Sequence, residues 1–332
     1  MRPSLTLHFA WWYFFAASHV VFTVSALRTA DGHAGVSTAV AQLGIGSLYA
    51  LLIWLFGYNL LPILGFGTPT VQKRPTVGRA DAIAMLRVAI LSAGAHICTL
   101  IALENGSVFF VMVVKAGEPV ASAIVSTVAY GKTPSVAKWV CSLVIVGAIT
   151  ALATSVACPD CSGVALVAAS ISNVLAALKG GEHTKLMGVP GFTERLNGVG
   201  NQHALNLILS FLVSLPALLT EWNGLGALTN PAFISYTAAA GISFYLYNEL
   251  TAETIEFTGA CTASVANAMK RGLLIFGVQA WVGHSARSDF TEQINDTTLV
   301  IVSALTAILG ALAYSVIDDI IKAGARRPPS MV

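Results

Sequence analysis

Ten apolar stretches, each long enough to cross a lipid bilayer, dominate this sequence. They lie near residues 8–27, 37–57, 81–103, 107–130, 136–157, 163–180, 203–220, 231–250, 257–281 and 298–321. Polar or Gly/Pro clusters bound them. About 20 residues cross the hydrocarbon of a bilayer, so ten spans use roughly 200 residues of the chain. The charge content agrees: Asp, Glu, Lys and Arg make up 10% of the sequence, against about 25% in soluble domains. A soluble enzyme, a nucleic-acid binder and a disordered chain each need more polar surface than this. The sequence therefore reads as an all-α polytopic membrane protein with ten transmembrane helices. The sixth and eighth stretches are rich in Ala, Ser, Thr and Gly, which let membrane helices pack closely.

Two segments read as connections. Asn59–Ala80 carries Pro62, Pro69 and Pro75, and Gly180–Gln202 carries Gly180, Gly181, Pro190, Gly191 and Gly198. The second is the expected linker between two halves of one membrane domain. Residues 1–180 would be the first five-helix repeat plus span six, 181–202 the linker, and 203–332 the remaining helices. The segment His8–Leu27 is too long for a signal-peptide core and reads as a first span. Targeting is then expected to be read internally, or from a leader that has been removed. Cys158 and Cys161 form Cys-Pro-Asp-Cys in a short loop. The spacing alone fits a neutral loop, a disulfide or a metal ligand pair. No cofactor or metal is otherwise implied.

The basic residues orient the spans. Ten spans put both termini on one side, together with Arg2, Lys73, Arg74, Arg79, Lys132, Lys138, Lys179, Lys185, Arg195, Lys322, Arg326 and Arg327. We call this the basic face. The opposite face holds only Arg28 and Arg287. The positive-inside rule places the basic face toward the cytoplasm or its organellar equivalent.

The four remaining cations, Arg87, Lys115, Lys270 and Arg271, fall within predicted spans. Arg87 lies close enough to the basic face to snorkel. The other three are deeper, where a charge costs about 2.5–3.5 kcal/mol on insertion scales and marks a substrate path by default. At 1.5 Å per residue, Lys115 sits about 12 Å and Lys270 about 10 Å from the opposite face. Spans four and nine differ by five, an odd number, so two five-helix halves carrying them would be inverted relative to each other. Inverted repeats with a site at their interface are a recurrent transporter design.

Three cations without as many intramembrane carboxylates call for a ligand with about two negative charges. A phosphate monoester has that charge near neutral pH and three strong acceptor oxygens. Arg grips two of them as a fork and Lys supplies mobile point charges. Glu118, one turn after Lys115, offers the competing reading of an internal ion pair. Pro119 lacks the N–H that would bond the carbonyl of residue 115. The helix is expected to open beside Lys115, with the freed carbonyl satisfied at a wet cavity. His96 and Thr99 share a helix face, at a depth matching Lys115. Tyr247 and Asn248 are polar, but expected nearer the basic face.

These residues resemble the plastid phosphate translocators of the drug/metabolite transporter superfamily. The resemblance rests on Val113-Val114-Lys115-Ala116-Gly117-Glu118-Pro119, Leu246-Tyr247-Asn248-Glu249, Ser264-Val265-Ala266-Asn267-Ala268-Met269-Lys270-Arg271 and Ser172-Asn173. It spans most of the chain. It implies ten spans in two inverted five-helix repeats and strict exchange of inorganic phosphate for phosphorylated C3, C5 or C6 compounds. It implies that Lys115, Lys270 and Arg271 hold the phosphate, with His96, Thr99 and Tyr247 as further contacts. The family usually has Arg seven residues after the Ser of Ser-Asn, and Lys179 stands there in this sequence.

The expected function is a phosphate antiporter for triose phosphate, 3-phosphoglycerate or phosphoenolpyruvate, working by alternating access in a plastid envelope membrane. Its partners would be these anions and the bilayer, with no nucleic acid, and the chain would be a monomer or weak dimer. The alternative is a nucleotide-sugar carrier of the same superfamily. The Phe-Tyr-Asn-Asn and Gly-Ala-Leu-Asn-Lys runs typical of GDP-mannose carriers are absent from the sequence. No nucleophile elbow, zinc signature or P-loop points to an enzyme.

Overall fold

The computed structural model describes residues 5–30, 33–57, 75–155, 163–274 and 297–325. They form an all-helical chain: α1 Leu5–Thr29, α2 Gly35–Phe56, α3 Arg79–Glu104, α4 Val108–Ala116, α5 Glu118–Tyr130, α6 Val136–Ser155, α7 Gly163–Met187, α8 Phe192–Leu196, α9 Val199–Ser214, α10 Pro231–Leu273 and α11 Thr297–Ala325. Between α9 and α10, Leu215–Thr229 runs as 3-10 turns, interrupted at Glu221. The cysteine pair Cys158 and Cys161, and most of the Asn59–Ala80 segment, lie outside the described residues.

Local chemistry sets several boundaries. The Ser107 hydroxyl accepts from Phe110 N–H at 3.2 Å and starts α4, an N-cap that satisfies one orphan donor. The Asn230 side chain does the same for Ala232 at 3.0 Å ahead of Pro231. Asp81 in the first turn of α3 accepts from Gly78 N–H at 3.3 Å. Gly57 ends α2 with φ 72, a left-handed conformation that glycine adopts freely.

Among the described residues, seven helical stretches are long and apolar enough to cross a membrane: 6–29, 35–56, 79–104, 108–130, 163–187, 199–221 and 301–321. They match expected spans one to four, six, seven and ten. α6 contains a shorter apolar helix, Val136–Ala151. Expected span eight and the described part of expected span nine fall within the single helical run α10, which has no break near residue 251. That run is not straight. A straight helix would separate Tyr247 and Lys270 by about 34 Å, yet the Lys270 ammonium lies 5.2 Å from the Tyr247 ring centroid. Along α1, His19 contacts the Ala240 carbonyl and His8 the Leu250 carbonyl, while Tyr13 bonds the Ala266 carbonyl. The run therefore turns back between Thr254 and Ala266. The expected linker is also shorter than its glycines imply. α7 continues through Gly180 and Gly181 to Met187, and α9 begins at Val199.

The helices pack in a regular set of pairs: α1 against α10, α3 against α7, α6 against α11, α2 against α9, α3 against α9, and α2 against α10. Close approach needs small residues at the crossing of α2 and α10. A Cβ on Gly241 would lie 2.9 Å from the Ile45 Cβ and 3.0 Å from the Gln42 carbonyl oxygen. The outer surface is apolar, as at Leu55 and Phe56 on α2, Leu143 on α6 and Leu309 on α11. Among its apolar packing the interior also holds polar side chains, including Gln42, His96, Ser172 and Asn173. An apolar exterior with polar side chains confined to the interior is what a bilayer demands of a helical bundle.

Candidate functional site

Lys115 ends α4, where the chain breaks at Gly117 before α5 resumes with Pro119 in its first turn. Its ammonium donates to the Thr99 hydroxyl at 3.0 Å and the Ser172 hydroxyl at 2.9 Å. Both hydroxyls donate in turn to the Ala95 carbonyl, each at 2.8 Å. The two hydroxyl oxygens also lie 2.8 Å apart, where either can donate to the other, and both accept from Lys115. Asn173 donates to the Val114 carbonyl at 2.9 Å, which covers a second acceptor beside the break.

Arg271 occupies the other side of that break. Its guanidinium donates to the Lys115 backbone carbonyl and to the Glu118 carboxylate. The freed carbonyl thus has a guanidinium on it. In place of the competing Glu118–Lys115 pair, Glu118 pairs with Arg271. The break at Gly117 removes the regular one-turn spacing that would have set Glu118 over Lys115. Among the described residues, neither Lys115 nor Lys270 forms an ion pair. Three cations and one carboxylate leave the cluster with two uncompensated positive charges.

Lys270 is buried against aromatic faces. Its ammonium lies 4.8 Å from the Trp12 ring and 5.2 Å from the Tyr247 ring, within cation–π range. Tyr247 was expected nearer the basic face than the cations. It reaches Lys270 because α10 continues past residue 250, so Tyr247 sits further from the helix end than the expected boundary allowed. His96 stacks on Phe244 at 4.2 Å between centroids. Its Nε2 pairs with the Gln42 side-chain oxygen at 3.1 Å, and the Gln42 amide donates to Thr23 at 3.0 Å. His19 from α1 joins the same cluster, 5.9 Å from His96 and 5.5 Å from Tyr247 between centroids.

The structure joins Lys115, Thr99 and Arg271 by direct contacts; Lys270, the sequence neighbour of Arg271, contacts Tyr247, and Phe244 and His19 link Tyr247 to His96. Lys179 is half-buried on α7, two turns beyond Ser172, and makes no ion pair among the described residues. The sequence analysis missed Trp12, His19 and Gln42. His19 carried a signal, an ionisable side chain within a predicted span. Trp12 carried none that set it apart from Trp11.

A cavity of about 250 Å³ adjoins the cluster, lined by Glu118, Pro119, Ser122, Lys138, Asn267, Arg271, Ala311, Tyr314 and Ser315. Its lining holds two cations, Arg271 and Lys138, and one carboxylate, Glu118, and does not include Lys115, Thr99 or Ser172.

Comparison with known proteins agrees with this chemistry. The profile of the Triose-phosphate Transporter family matches residues 4–315. The phosphoenolpyruvate/phosphate translocator 1, chloroplastic, of Arabidopsis thaliana is 23% identical over 82% of this chain and 64% of its own length. The xylulose 5-phosphate/phosphate translocator, chloroplastic, of the same plant is 26% identical over 70% of this chain and 54% of its own. The triose phosphate/phosphate translocator, non-green plastid, chloroplastic, of Brassica oleracea var. botrytis is 22% identical over 82% and 65%. This chain therefore spans less than two thirds of the length of these relatives.

Proposed function

Because the chain belongs to the Triose-phosphate Transporter family, we propose that it is an antiporter exchanging inorganic phosphate for phosphorylated three-carbon metabolites across a plastid envelope membrane. The observation that carries this reading is the grouping of Lys115, Lys270 and Arg271 with Glu118 as the one carboxylate paired to them among the described residues. A net charge of two matches a phosphate dianion. Lys115 and Arg271 would grip its oxygens, and Lys270, Tyr247, His96 and Thr99 would line its surroundings, with Lys179 further along α7. The relatives' names refer to phosphate exchange with phosphoenolpyruvate, a pentose phosphate and triose phosphate. The C3 preference is our choice among these, with triose phosphate, 3-phosphoglycerate and phosphoenolpyruvate as counter-substrates.

Alternating access of two inverted five-helix repeats is part of the same proposal. Support comes from the packing pairs. Counting Leu5–Thr29 as span one and the two arms of α10 as spans eight and nine, a shift by five turns the span three–six pair into eight–one. It turns three–seven into eight–two. It leaves the two–seven and five–ten pairs unchanged. An inverted repeat would give this symmetry. An empty, closed carrier would hold two desolvated cations without an anion, which is costly. Return therefore requires a load, and exchange becomes obligatory.

The test is uptake of labelled phosphate into proteoliposomes with and without phosphate or C3 phosphates inside. Uptake should depend on the internal anion and vanish in the Lys270→Ala/Arg271→Ala double variant. Retained exchange in that variant would overturn the phosphate-clamp reading.

A further inference from the structure

The cavity beside Arg271 extends between two cation–carboxylate pairs. At its inner end is Arg271 with Glu118. At the other is Lys138, whose ammonium lies 2.9 Å from the Asp318 carboxylate. Lys138 is the third residue of α6, and Asp318 lies in the last third of α11, so this pair sits close to the basic face. The side chains of Lys138 and Asp318 are 26% and 31% exposed. Pairs with that much solvent contribute little and yield readily to a competing ion.

Two details make Lys138 the partner that changes hands. Asp318 also accepts from the Ser135 hydroxyl at 2.5 Å, so it keeps a hydrogen bond when the ammonium leaves. Lys138 rests on the Tyr314 ring, 5.2 Å from its centroid, and both residues line the cavity. The ammonium therefore stays at the cavity wall when Asp318 releases it. Lys138 also donates nothing to the inner cluster and has no part in the clamp.

We propose that Lys138 and Tyr314 form an outer docking subsite for a phosphate dianion, masked by Asp318 when empty. This rests on the exchange reading above. An incoming anion replaces the Asp318 carboxylate on Lys138, then replaces Glu118 on Arg271. Each step swaps one anion for another, so neither Lys138 nor Arg271 is left without a counter-charge as the anion moves inward.

The rival is a simple structural tie between α6 and α11, and the two readings differ in sign. Labelled inorganic phosphate is the probe, with the full chain in phosphate-loaded proteoliposomes. Lys138→Gln should raise the KM for phosphate by about two- to fivefold, the range a part-exposed charge supplies. Asp318→Asn should lower it, since the masking anion is gone. Lys138→Arg should stay near the unsubstituted protein. A structural tie is broken equally by the first two variants, so KM shifts of the same sign in both, or none, would overturn the subsite. Phosphate protection of the solubilised protein against thermal unfolding reads the same order if a variant inserts poorly. A starting protein that exchanges no phosphate would overturn the exchange reading, and this one with it. Normal exchange without the opposed shifts would overturn the subsite alone.

Discussion

The guanidinium of Arg271 donates to the backbone carbonyl of Lys115, the carbonyl to which residue 119 would donate in an unbroken helix and to which Pro119, lacking an N–H, cannot. One proline thus creates both the helix break and the acceptor that positions a cation from the far end of the chain. Pro119→Ala restores an N–H four residues after Lys115 and lets the helix close over Gly117. Arg271 then loses an anchor. Exchange should fall about tenfold or more, as small misplacements of reacting groups do, while thermal stability holds or rises. Unchanged exchange with a straightened helix would separate the break from function.

Thr99 is one of two hydroxyls beneath the Lys115 ammonium. Thr99→Val removes that acceptor at nearly constant volume. A hydrogen bond to a charged group contributes about 1.5–3 kcal/mol, so the KM for phosphate should rise about tenfold or more. Thr99→Ser should restore it. If Val and Ser behave alike, the hydroxyl does not position Lys115.

Glu118 sets the charge of the cluster. Glu118→Gln leaves three uncompensated cations in place of two. Preference should then move from dianions, phosphate and triose phosphate, toward 3-phosphoglycerate and phosphoenolpyruvate, each of which carries an additional carboxylate. Competition of labelled phosphate uptake by each anion measures this. In the unsubstituted protein, uptake of a labelled triose phosphate should weaken as pH falls through the second ionisation of the ester, near 6, because the dianion fraction drops. An unshifted competition order in Glu118→Gln would remove charge matching as the basis of selection.

Gly241 holds α10 against α2, and α2 carries Gln42, the partner of His96. Gly241→Val places a branched side chain against the Ile45 Cβ and the Gln42 carbonyl. Overpacking of this kind costs about 1–3 kcal/mol, and the thermal midpoint in detergent should fall accordingly. Gly147→Ala, whose added Cβ meets nothing within 4 Å, should be neutral or stabilising. Equal effects at the two positions would discount the close crossing.

Much of this architecture was legible because a bilayer constrains sequence so strongly. Seven of the expected spans recur as helices long and apolar enough to cross. Lys115 and Lys270-Arg271 stood out because charge is scarce around them. The partners were less legible. Spacing along one helix paired Glu118 with Lys115, whereas the break at Gly117 turned it toward Arg271, 153 residues away. Residues 251–256 fell between two expected spans, yet they include no proline or glycine. Local propensity carries the helix through them, and the turn shows only in contacts between distant residues, of α1 with α10 and of Lys270 with Tyr247. Trp12 beside Lys270 depends on packing between distant spans, which no local pattern encodes.

The Glu118–Arg271 pair has an electrical consequence. Moving one elementary charge through a membrane potential of 100 mV involves about 2.3 kcal/mol. A carrier closing empty would drag two positive charges through that field. Closed around a dianion, it carries none, so voltage neither drives nor opposes the crossing. Direction is then left to the concentrations of the two anions alone.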